Sequence, residues 1–109
     1  MTDVRIVLVT VPDAAVGEAL SVDLVERGLA ACASFLPGLT SVYRWEGEVQ
    51  RASEQLVLIK TSRARVADLI ARVAELHPYD VPEVLAVPVE AGFGPYLAWV
   101  ERESRGGAR

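Results

Sequence analysis

Cysteine, histidine and lysine each occur once in the 109 residues, as Cys32, His77 and Lys60. A lone cysteine excludes an intrachain disulfide and fits a reducing compartment, so a cytoplasmic setting is expected. One imidazole and one thiol cannot build a structural zinc site from nitrogen and sulfur ligands within one chain. Unbroken apolar runs are only a few residues long, too short for a membrane span, and the first residues lack the pattern of a secretory leader. Basic residues number 11 against 15 acidic ones, a net charge of −4, with a pI of about 4.9. Such a chain has no field to gather phosphate backbones, so neither nucleic acid nor membrane is an expected partner. What is abundant is apolar: 51% of residues against 24% charged, with a mean hydropathy of +0.27 in 11.8 kDa. Disorder is excluded. So apolar a surface on so small a chain predicts that other subunits cover part of it.

Proline and glycine divide the chain. Val4 to Val11 is β-branched, too short for a typical helix and closed by Pro12, which predicts a buried strand. Asp13 then opens a helix with Val16, Leu20 and Leu24 on one face and Gly28 as its stop. Ala31 to Trp45 reads as a long strand kinked at Pro37-Gly38, turning at Glu46-Gly47 and returning through Gln55 to Lys60. Leu56 to Ile59 is apolar on both strand faces, so both must be covered. Ser62 is the expected N-cap of a second helix carrying Val66, Leu69, Ile70, Val73 and Leu76, stopped at His77-Pro78. Val84 to Val89 is a short edge strand, and Pro95 starts a last helix through Arg102. The order is that of an α+β, ferredoxin-like (split βαβ) antiparallel sheet with its main helices on one face. One domain spans 1–103, and 104–109 is expected to be a flexible tail.

Little here points to catalysis. No nucleophile elbow, phosphate loop or dinucleotide fingerprint occurs, and Cys32, in an apolar run without nearby charge, reads as a buried hydrophobe. No enzyme activity and no organic cofactor are expected. The segment His77-Pro78-Tyr79-Asp80-Val81-Pro82-Glu83 gathers one imidazole and two carboxylates on a proline-stiffened turn. These suit a borderline divalent ion such as Cu²⁺, although His77 could equally serve the helix C-terminus. At the hairpin tip, Arg44 and Trp45 could rim a planar or anionic ligand, with Lys60 and Tyr79 as further candidates.

The blocks Leu8-Val9-Thr10-Val11-Pro12-Asp13, Gly28-Leu29-Ala30-Ala31-Cys32, Tyr43-Arg44-Trp45-Glu46-Gly47, Leu58-Ile59-Lys60-Thr61, His77 to Glu83 and Tyr96-Leu97-Ala98-Trp99 follow one another as in the CutA divalent-cation tolerance family. The resemblance runs from about Val4 to Val100. It implies a homotrimer similar in architecture to the PII signalling proteins, with long interlocking hairpins, and a binding role in tolerance of copper and other divalent cations. Some members carry a cysteine where Val9 stands and a second histidine where Leu76 stands. Of that ligand set only His77 remains, so the metal candidates are His77, Glu83 and Asp80. The rival readings are a PII-like sensor of a small anion held between subunits by Arg44, Trp45, Lys60 and Tyr79, and a structural scaffold.

Overall fold

A computed structural model describes residues 2–105. β1 (Val4–Val11) leads into α1 (Ala14–Glu26), β2 (Cys32–Trp45), β3 (Glu48–Ser62), α2 (Val66–Leu76), β4 (Val84–Pro88) and α3 (Gly94–Glu103). The strands form one sheet in the order β2-β3-β1-β4, and every neighbouring pair is antiparallel. This is the split βαβ arrangement that the element order implied.

Local chemistry places the ends. The Asp13 carboxylate accepts the Val16 amide at 2.9 Å and caps α1. Gly28, at φ 71°, reverses the chain after that helix. The β2–β3 turn is made by Glu46 and Gly47 at φ 51° and 83°, the two positive φ values of a tight hairpin. The kink at Pro37-Gly38 is a register shift between Leu36 and Leu39. Two expectations need correction. Ser62 does not cap α2: a 3₁₀ turn, Arg63–Arg65, intervenes, and the Ser62 hydroxyl donates to the Ser104 carbonyl at 3.2 Å. Ser104 itself is fully buried and donates to the Val100 carbonyl. It therefore finishes the packed chain instead of starting a tail, while residues 106–109 lie outside the described ones.

Strand alternation sorts the core. Val7, Val9 and Val11 of β1 and Val57 and Ile59 of β3 face α1 and α2, where they meet Leu20, Leu24, Leu69 and Val73. Each such side chain contributes about 1.5–3 kcal/mol by leaving water. Asp23 of α1 accepts both arms of the Arg72 fork from α2, at 2.9 and 2.8 Å, and ties the two helices. Val4, of opposite parity, clusters instead with Val100 of α3 and with Ala31. α3 covers only one end of that second face. Leu36 and Leu85 are 52% and 54% exposed there, and Leu56 and Leu58 are only half-buried. β1 pairs with β3 only as far as Gln55, so the hairpin beyond it projects as two strands alone, with Val42, Tyr43, Trp45 and Val49 exposed.

Candidate functional site

β4 stops at Val84, opposite Val9, so no strand reaches the last residues of β1 on that edge. The ring of His77, at the end of α2, fills the gap. Its Nδ1 accepts the Tyr79 amide at 3.1 Å, which leaves the proton on Nε2, and Nε2 donates to the Thr10 carbonyl at 2.8 Å. The imidazole is 7% exposed and lies 4.7 Å from the Tyr79 ring, centroid to centroid. Both ring nitrogens are thus engaged by backbone groups, and His77 joins β1 to the turn after α2.

Tyr79 carries the connection onward. Its hydroxyl donates to Glu54 Oε2 at 2.8 Å. Burial, and then the Glu54 carboxylate, push that phenol up to about 12, since ionising it would set two anions side by side. Glu54 is only 8% exposed and makes no ion pair among the described residues. The turn, the end of β1 and the projecting hairpin together enclose a cleft of about 640 Å³, whose walls include Tyr43, Trp45, Glu54, Tyr79, Asp80 and Glu83.

The fold thus brings Trp45, Tyr79, Asp80 and Glu83 to one cleft and turns His77 inward behind it. It does not bring Arg44 or Lys60 there. Arg44 stands on the hairpin opposite Val49, and Lys60 donates to the Ser34 hydroxyl at 3.0 Å and to the Leu58 carbonyl. Among the described residues no three His, Cys, Asp or Glu side chains gather closely enough to hold a metal ion. Glu54 is the member that sequence reasoning missed. Its only signal is a carboxylate two residues before an apolar strand run, and its burial depends on Tyr79, 25 residues away. Cys32 also differs from expectation. It is half-buried, because strand parity sets it on the face that α3 only partly covers. Its Sγ lies 3.5 Å from the Tyr96 hydroxyl, a contact that with burial raises the Tyr96 phenol to about 12.

Residues 5–103 match the family described as CutA1 divalent ion tolerance protein. The divalent-cation tolerance protein CutA of Thermus thermophilus is 48% identical over 102 residues, covering 94% of this chain and 98% of that protein. The chloroplastic CutA protein of Arabidopsis thaliana is 44% identical over 100 residues, covering 92% of this chain but 55% of that longer protein. The crystal structure of CutA from Xylella fastidiosa superposes with a TM-score of 0.92 at 42% identity, over 94% of this chain and 98% of that one. No helix among the described residues is long and apolar enough to cross a membrane.

Proposed function

The chain belongs to the CutA1 divalent ion tolerance family, and from that premise we propose that it is a homotrimeric, non-catalytic binding protein for divalent cations. The observation that carries this reading is the half-covered second sheet face, with Leu36 and Leu85 more than half exposed beside a cleft whose rim bears Asp80 and Glu83. An apolar face of this kind supports an assembly burying more than ~2,000 Å² in total. Asp80 and Glu83 are the ligands that the geometry leaves free, and a second copy of the chain completes the set. His77 enters it only by giving up the Tyr79 amide. Mixed oxygen and nitrogen ligands favour Cu²⁺ over Zn²⁺, as they do at any such site. The single thiol supports a reducing, cytoplasmic location.

Two measurements test this. Sedimentation equilibrium at micromolar protein is expected to give a trimer, and a folded species of 11.8 kDa overturns the assembly. Calorimetric titration of the metal-free protein with CuCl₂ is expected to show binding that Asp80→Asn with Glu83→Gln abolishes and His77→Ala retains. Loss in His77→Ala alone, with the carboxylate variant unaffected, overturns the proposed ligand set.

A further inference from the structure

We propose that the acidic cleft receives the hairpin of a second copy, whose Arg44 and Arg51 supply the positive charge that the cleft's own chain does not. Strand parity gives the projecting hairpin two unlike faces. Tyr43 and Trp45 line the cleft. Arg44 lies on the opposite side with Val49, its cross-strand partner, and with Arg51 two residues further along the same strand. Val49 is 65% exposed, and neither arginine forms an ion pair among the described residues.

The cleft has the opposite character. Its walls carry the Glu54, Asp80 and Glu83 carboxylates and no lysine, arginine or histidine. One surface is therefore apolar with two guanidiniums, and the other aromatic with three carboxylates, so each repels its own kind and attracts the other. A two-fold contact sets one patch against itself, which like charge opposes here. A ring instead needs two different surfaces that fit head to tail, and this hairpin and cleft supply both. A guanidinium entering the cleft also meets the Tyr43 and Trp45 rings, on whose faces it stacks well. Three carboxylates against two guanidiniums leave the cleft with a negative balance, so a divalent ion is still attracted there. The inference rests on the homotrimer reading and names the surfaces that meet. Arg44, which stands away from the cleft of its own chain, serves that of a neighbour.

The test uses chelator-treated full-length protein. Sedimentation gives the assembly state, circular dichroism the fold, and native mass spectrometry of mixed isotope-labelled and unlabelled chains the rate of subunit exchange. Arg44→Glu with Arg51→Glu, on the exposed hairpin, is expected to speed exchange at least about tenfold or to dissociate the assembly. Asp80→Lys with Glu83→Lys is expected to do the same. A chain carrying all four changes reverses both surfaces, and its exchange is expected to return to within about threefold of wild type. Loss of folding could not produce that rescue. A monomeric wild type overturns the homotrimer reading and this inference with it. A wild-type trimer whose exchange moves less than about twofold in both pairs of changes overturns this inference alone. So does a combined variant that exchanges as fast as either pair. Should a charge-reversed variant not fold, Arg44→Gln with Arg51→Gln is expected to speed exchange several-fold, and unchanged exchange there overturns the proposal.

Discussion

Replacing His77 by alanine separates a structural histidine from a metal ligand. In the folded chain Nε2–H is the donor that the structure provides for the Thr10 carbonyl on the edge that β4 leaves uncovered, and Thr10 is 7% exposed. Leaving that acceptor unpaired costs about 1–3 kcal/mol, and losing the buried imidazole's packing adds about 1 kcal/mol. The expected destabilisation is therefore about 2–4 kcal/mol. A chain of 109 residues has an unfolding entropy of about 0.23 kcal/mol/K, so the melting point should fall by roughly 9–17 °C. His77→Gln restores a donor that reaches Thr10 but no acceptor for the Tyr79 amide, and should recover about half of the loss. The assay is urea unfolding followed by circular dichroism, at one protomer concentration because linked assembly moves the midpoint. Stability of His77→Ala within about 0.5 kcal/mol of wild type, with glutamine no better than alanine, would refute the reasoning. Unchanged stability together with lost copper binding would assign the ring to a metal.

Four further outcomes follow from burial, charge pairing and backbone conformation. Val57 is fully buried against the helices whereas Leu58 faces the half-covered side, so Val57→Asp should abolish folding at about 3–5 kcal/mol. Leu58→Asp should instead leave a folded monomer, visible by sedimentation and circular dichroism. The Arg72 fork, then Arg27, hold the Asp23 carboxyl below its ordinary 3.8. Its contribution is present above that pH and fades as the pH falls through the lower folded value. Asp23→Asn should accordingly cost about 1 kcal/mol at pH 7 and flatten the acid limb of a stability profile measured between pH 5 and 2. Glu46 occupies a left-handed turn position at φ 51°, and Glu46→Asn should raise urea-measured stability by about 0.5–1 kcal/mol.

The sequence by itself determined the elements and their order. β1 has the bounds read from its β-branched run, Asp13 caps α1, Gly28 ends it, and the Glu46-Gly47 turn joins β2 to β3. The two-sided apolar run in β3 also foretold a second face seeking cover. These features depend on neighbours a few residues apart, whose periodicity and backbone preferences are written in the chain. Only the tertiary structure decided that Ser62 ties down Ser104 instead of capping α2, that Cys32 is half open, and that Arg44 and Lys60 stand away from the cleft. It also turned His77 inward to Thr10, 67 residues away, and buried Glu54 beneath Tyr79. A polar side chain's role depends on which distant backbone or side-chain group it meets, and strand parity, register and the point where β4 stops set that meeting, none of which leaves a mark on its sequence neighbours.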